Sequence, residues 1–207
     1  MRKSDMKLQP GAFVAVVATL IVSGFGNLAS ADVPAITLIG DSTVTDDKGW
    51  GAAFANAVKG RAVVDNHAVG GRSARSFADE NRLAAALRQA PDYVFIQFGH
   101  NGQPGKGPHR ETDPNGSYRD YLRAYVADIR AAGAEPVIVS SLSRRKFDNA
   151  GSLRPTLGPW AKGARAVADE LDVAFVNLFS RSVAYHRRIG RWRSKEFDVA
   201  PGDHTHL

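Results

Sequence analysis

Between Ala35 and Val176 the chain alternates short apolar runs with longer amphipathic ones, a pattern that few folds satisfy. Ala35-Ile36-Thr37-Leu38-Ile39 reads as a buried strand ending at Gly40, and Ala62-Val63-Val64, Tyr93 to Gln97, Pro136 to Val139 and Val173 to Val176 read likewise. Helices are predicted over Trp50–Val58, Ser76–Arg88, Ser117–Ala132 and Pro159–Leu171, with one more from about Ser180 to Ile189. The third is the clearest: Ser117 can cap it, Tyr121, Leu122, Tyr125 and Ile129 form its stripe, and Gly133 ends it. Strands that are apolar on both faces must be covered on both. The pattern therefore predicts an α/β protein, a three-layer α/β/α sandwich around a five-stranded parallel sheet.

The first 31 residues stand apart from that pattern. Arg2, Lys3 and Lys7 make a basic start, Gly11 to Gly24 is apolar apart from Thr19 and Ser23, and Ala29-Ser30-Ala31 offers a small-x-small cleavage site. The apolar run is short for a membrane span, which takes roughly 20 residues. An export signal over 1–31 is expected, followed by one domain over 32–207 and a secreted or periplasmic location; an N-terminal anchor is the alternative. Cysteine is absent, which excludes disulfides and thiolate metal sites.

The formal charge of +6 falls to +4 once Arg2, Lys3, Lys7 and Asp5 are set aside. The basic residues cluster at Arg144-Arg145-Lys146 and between Arg187 and Lys195. A nucleic-acid partner would call for a basic stripe interleaved with aromatics, and export argues against one. An anionic polysaccharide suits the surface better, and a solvated surface without a partner accounts for it too. After removal of the signal, no membrane partner is expected.

Four separated segments carry reactive chemistry: Gly40-Asp41-Ser42, Gly70-Gly71-Arg72-Ser73, Gly99-His100-Asn101 and Asp203-His204-Thr205-His206. The first three each follow a predicted strand. In an open parallel sheet, ligands bind beyond the carboxyl ends of the strands, so the three should meet on one rim. Ser42 offers a nucleophile that needs a base to take its proton. The backbone N–H groups of Ser42 and Gly71 and the side chain of Asn101 could donate to a tetrahedral oxyanion. Asp203 can reach the imidazole of His206 and set its tautomer, leaving Nε2 as the base. His204 competes for that role, and with Asp203 and His206 it could instead hold a metal, although the local donor set is small. Taken singly, each segment has a structural reading as well: a turn serine, a turn glycine, or an asparagine that ties its own loop.

Together the segments resemble the SGNH (GDSL-type) hydrolases, and within them the rhamnogalacturonan acetylesterase-like proteins. The resemblance runs from Ile36 to the end of the chain. It is carried by Gly40-Asp41-Ser42-Thr43, Ala68 to Ser76, Gln97-Phe98-Gly99-His100-Asn101, Gly105 to Pro108 with Glu111 to Pro114, and Asp203 to His206. It implies a flavodoxin-like fold and a metal-free esterase without a cofactor. In that reading Ser42 is the nucleophile, Asp203 and His206 complete the triad, and Ser42, Gly71 and Asn101 form the oxyanion hole. An acetylated, pectic polysaccharide would be the substrate.

Two departures from the family pattern are visible. Gly102 stands where the family usually has an aspartate, and the family continues past the histidine with a further helix, whereas this sequence stops at Leu207. Arg72, Arg144 and Arg145 are candidates to meet uronate carboxylates. The long polar loop from Gly102 to Gly116 is expected to wall the cleft. Other acyl substrates (xylan, peptidoglycan or lipid) and a catalytically impaired carbohydrate-binding relative are the alternatives.

Overall fold

In the computed structural model, which describes residues 33–207, five strands form one sheet in the order β2-β1-β3-β4-β5, all parallel. The segment expected to be an export signal lies outside the described residues. The strands are β1 (Ala35–Gly40), β2 (Val63–Asn66), β3 (Tyr93–Gln97), β4 (Glu135–Val139) and β5 (Ala174–Val176). Six α-helices are described: α1 (Gly51–Ala57), α2 (Ala74–Asp79), α3 (Arg82–Ala86), α4 (Ser117–Ala131), α5 (Gly158–Glu170) and α6 (Leu178–Ser194). The expected three-layer α/β/α architecture is the observed one.

The period-2 geometry of the strands divides their apolar side chains between two cores. Ile36, Leu38, Phe95, Val137 and Val139 face Trp50 and Phe54 around α1 and Leu178 of α6. Ile39, Val94, Ile96 and Ile138 face the other way, onto Phe77 of α2, Tyr118, Tyr125 and Ile129 of α4, and Trp160 of α5. Burying each large apolar side chain contributes about 1.5–3 kcal/mol, so both helical layers are needed to cover the sheet. Where hydroxyls enter the core they find acceptors: Tyr118 donates to the Phe98 carbonyl at 2.9 Å and Tyr125 to that of Ala74 at 2.5 Å.

Three local expectations differ from the structure. The helix predicted over Ser76–Arg88 is two short ones, because Asn81 adopts a left-handed conformation (φ 50°) between them. The first of the pair begins earlier, at Ala74, where Ser73 and Ser76 form a capping box. Ser117 does not cap α4; it is the first helical residue, and its hydroxyl accepts from the Asp113 N–H at 3.1 Å. Finally, α6 starts at Leu178 because Asn177 caps it. It runs past Ile189 to Ser194 with a break at Gly190, whose φ of 76° is open to glycine at little cost.

The strand order creates the site. From β1 the chain moves to one edge and then returns across β1 to β3, so the carboxyl ends of β1 and β3 diverge into loops on opposite sides. A crevice opens at such a switch point. Ser42 follows β1 and Asn101 follows β3, one on each side of it.

Candidate active site

The turn after β1 is fixed by Asp41. Its Oδ1 accepts from the Thr43 N–H at 2.9 Å and from the Thr43 hydroxyl at 2.7 Å. Gln97 Nε2 donates to Thr43 Oγ1 at 2.7 Å, and Trp50 Nε1 donates to Gln97 Oε1 at 2.9 Å. This buried chain presents Ser42, half-buried, at the tip of the turn. Burial by itself would raise the Asp41 pKa, but His100 beside it and the two Thr43 donors more than offset that and lower it. His100 Nδ1 stands 3.4 Å from Asp41 Oδ2, close by but without hydrogen-bond alignment.

Ser42 Oγ lies 2.7 Å from His206 Nε2, and His206 Nδ1 lies 2.7 Å from Asp203 Oδ2. Asp203 Oδ1 accepts from the N–H groups of Thr205 at 2.9 Å and His206 at 3.1 Å. For Asp203 burial raises the pKa, and the three donated hydrogen bonds outweigh it, bringing the group down to about 2. An ionised carboxylate on Nδ1 leaves Nε2 free to take the serine proton. His204, the competing base, instead lies with Nδ1 3.7 Å from Asp198 Oδ2.

The C-terminal segment that carries Asp203 and His206 is held from three directions. Arg145 donates from its backbone N–H to the His204 carbonyl at 2.7 Å and from Nη2 to the carbonyls of Asp203 at 3.1 Å and His206 at 2.5 Å. The Leu207 N–H donates to the Lys48 carbonyl at 3.0 Å, and its side chain packs on the core around Trp50.

The segment after β2 runs beside Ser42. His67 N–H donates to the Leu38 carbonyl and Val69 N–H to that of Gly40, which extends the β1–β2 pairing to the rim. A Cβ placed on Gly70 would come 3.7 Å from Ser42 Cβ. Gly71 follows with φ of 78°, a conformation open to glycine at little cost, and with no atom within 4 Å of where a Cβ would stand. Asn101 Nδ2 donates to the Arg72 carbonyl at 3.0 Å, which ties the β2 and β3 loops together and leaves its second amide hydrogen available.

The loops after β1 and β3 and the C-terminal segment line a cleft of about 460 Å³ that includes Ser42, His100, Asn101, Asp203, His204 and His206, whereas Gly71 is not among its lining residues. Gln103, Pro104 and Lys106 from the loop after Asn101 form one wall, as expected of that loop. Arg144 and Lys146 line the cleft too. Arg145 between them does not, because successive residues of this non-helical stretch point to opposite sides. Its side chain is turned inward, 3% exposed, with Nε and Nη2 engaged by Asp198 Oδ1. Arg72 is also absent from the lining; its guanidinium is bound to Glu80 and to the Gly70 carbonyl. Of the three arginines expected to meet substrate carboxylates, only Arg144 faces the cleft, anchored through Nη2 to the His100 carbonyl at 3.0 Å. Lys106 and Lys146 are cleft cations that sequence reading did not single out; only the basic run 144–146 hinted at the second.

Gly102 has a structural reason in this chain. A Cβ there would meet Thr112 Oγ1 at 2.5 Å and Trp160 Nε1 at 3.1 Å, atoms that face each other at 3.3 Å. The loop is closed instead by Thr112 N–H donating to the Gly102 carbonyl at 3.0 Å. Among the described residues, no three His, Asp or Glu side chains gather closely enough to hold a metal ion.

Residues 36–206 match the model of the GDSL-like lipase/acylhydrolase family. The chain is 36% identical over 180 residues to the rhamnogalacturonan acetylesterase RhgT of Bacillus subtilis (strain 168), covering 82% of this chain and 76% of that one. A rhamnogalacturonan acetylesterase of Emericella nidulans is 30% identical over 209 residues, covering 91% and 84%. Among solved structures, protein YxiM of Bacillus subtilis superposes with a TM-score of 0.71 at 26% identity, over 85% of this chain and 52% of that one. A catalytic variant of the acetylxylan esterase Axe2 of Geobacillus stearothermophilus gives 0.64 at 16% identity, over 86% and 89%, a likeness of fold.

Proposed function

The chain belongs to the GDSL-like lipase/acylhydrolase family, a family of hydrolytic enzymes, and on that premise we propose that it removes O-acetyl groups from an acidic, pectic polysaccharide of rhamnogalacturonan type. The observation that carries this reading is the continuous hydrogen-bonded chain from Ser42 Oγ through His206 to Asp203, with both links at 2.7 Å.

In the proposed mechanism Ser42 Oγ passes its proton to His206 Nε2 and attacks the acetyl carbonyl carbon. The carbonyl oxygen becomes an oxyanion, stabilised by the N–H groups of Ser42 and Gly71 and by the Asn101 side-chain amide. Asp203 steadies the imidazolium. The intermediate collapses, the C–O bond to the sugar breaks, and the leaving oxygen takes the proton from His206. Water then gives a proton to His206, attacks the acetyl-serine and releases acetate, while Ser42 recovers its proton.

Two further observations support an acidic sugar chain. The named relatives at 30% and 36% identity are rhamnogalacturonan acetylesterases. The cleft is lined by Lys106, Arg144 and Lys146, which suit uronate carboxylates. The basic start, apolar run and small-x-small site over 1–31 support export, to the periplasm or the medium.

Hydrolysis of p-nitrophenyl acetate, and acetate release from acetylated rhamnogalacturonan and from acetylated xylan, test the proposal. The wild type should turn over the first two, prefer the acidic polymer, and lose both activities in Ser42→Ala. Equal rates for Ser42→Ala and wild type would sink the esterase mechanism, and a preference for xylan would sink the pectic assignment. His206→Ala should abolish turnover while His204→Ala lowers it far less; the reverse pattern would make His204 the base.

A further inference from the structure

The basic run from Arg187 to Lys195 is not part of the catalytic cleft, yet its last residues border a second pocket. This pocket, of about 190 Å³, is lined by Arg145, Phe147, Arg191, Lys195, Asp198 and His204. Its one carboxylate, Asp198, is already held by Arg145 at 2.9 Å. Arg191 and Lys195 join no carboxylate in an ion pair among the described residues. The buried Nη1 of Arg145 has no hydrogen-bond partner, although the other donor nitrogens of that guanidinium do. The pocket is therefore short of negative charge.

Beside it stands Trp192, 74% exposed and the most exposed large apolar side chain described. The Arg191 guanidinium carbon lies 5.5 Å from the centre of its ring, and Lys195 Nζ lies 4.8 Å from it. The break in α6 at Gly190 sets this turn off from the rest of the helix. An indole this exposed, with two cations close to its ring, offers apolar surface for a sugar ring and charges for an acid on that ring. Continuity with the catalytic cleft is supplied by His204, which lines both cavities.

We propose that Trp192 and the pocket formed by Arg145, Arg191 and Lys195 are a subsite for a uronate residue of the polysaccharide chain, reached past His204 from the sugar whose acetyl group lies at Ser42. The inference rests on the acidic-polysaccharide reading above and extends the binding surface beyond the cleft. The indole stacks on the pyranose ring, and Arg191 and Lys195 meet the carboxylate.

The test measures binding separately from turnover. Calorimetric titration of Ser42→Ala protein with de-esterified oligogalacturonate is compared with the same titration after adding Arg191→Gln and Lys195→Gln, or Trp192→Ala. These positions lie at the surface, and thermal melting verifies that each variant is folded. Loss of the charged contacts should raise Kd about tenfold and flatten its salt dependence, and loss of the indole should raise it several-fold. In proteins with an intact Ser42, the ratio of kcat/KM on acetylated rhamnogalacturonan to that on acetylated xylan should fall by a similar factor for the charge variant. No binding by the Ser42→Ala parent, or one Kd shared by the parent and both variants, would overturn the subsite. Failure of the esterase reading shows differently, as p-nitrophenyl acetate hydrolysis that survives Ser42→Ala.

Discussion

Arg145 Nη2 lies 2.5 Å from the backbone carbonyl oxygen of His206, so a guanidinium planted just beyond β4 holds the residue proposed as the base. The same side chain grips Asp198 Oδ1 and the Phe197 carbonyl. Arg145→Met should therefore loosen the whole C-terminal segment. Removing one partner of a buried ion pair costs about 3–5 kcal/mol, and the unfolding free energy from urea titration should fall by that order. The kcat of folded protein should fall with it. A stability loss at unchanged kcat would show that Leu207 and Lys48 suffice to hold His206.

Stability should also depend on His186. This buried imidazole is pushed from 6.5 down to about 4, first by burial and second by the positive charge of Arg145. Between those values the unfolded chain binds a proton that the folded protein does not, so folding weakens as the pH drops through the window and is unaffected above it. The loss should be on the order of 3 kcal/mol between pH 6.5 and 4. In His186→Gln, urea midpoints measured across that range should be flatter than in wild type.

Asp203 behaves with the opposite charge and a lower window. Its folded pKa of about 2 lies below the ordinary 3.8, so what it adds to stability is complete above 3.8 and disappears as the pH falls to about 2. Wild type and Asp203→Asn should differ in urea midpoint at neutral pH and converge toward pH 2. At neutral pH the variant should also lose about 10⁴-fold in kcat, because an amide on Nδ1 favours the wrong tautomer.

Asn101→Ala separates the oxyanion role from a merely structural one. The side chain also ties the β2 and β3 loops through the Arg72 carbonyl. If its second hydrogen serves the oxyanion, kcat on p-nitrophenyl acetate should fall about 10²–10³-fold with a small change in KM. A change confined to KM or to melting temperature would leave the amide as a loop tie alone.

Placing an aspartate at position 102, as the resemblance in sequence led one to expect, should harm this chain. The space for its Cβ is occupied by Thr112 Oγ1 and Trp160 Nε1, so Gly102→Asp forces the loop outward. Overpacking of this kind costs about 1–3 kcal/mol, which thermal melting can read. Gly102→Asp combined with Thr112→Ala should recover part of it.

Much of the fold was legible because it depends on local patterns. Strands apolar on both faces demanded two covering layers, and Ile36 and Leu38 do pack on one core while Ile39 packs on the other. The break at Asn81 was less legible, since the apolar periodicity of 76–88 runs through it and a single left-handed residue leaves that spacing unchanged.

The sequence by itself determined the α/β/α sandwich and the gathering of the Ser42, Gly71 and Asn101 loops at one edge. Parallel strands all point the same way, so the loops after β1, β2 and β3 must share a rim whatever their side chains do. Only the tertiary structure decided which basic residues face the cleft and how His206 is held. Arg144 and Arg145 are neighbours of the same type, and they part because one side of the segment after β4 is open while the other is closed by residues 197–206. The contact from Arg145 to the His206 carbonyl spans 61 residues, and the one from His206 to Ser42 spans 164. Partners that far apart are chosen by the packed sheet and its loops, and local periodicity carries no record of them.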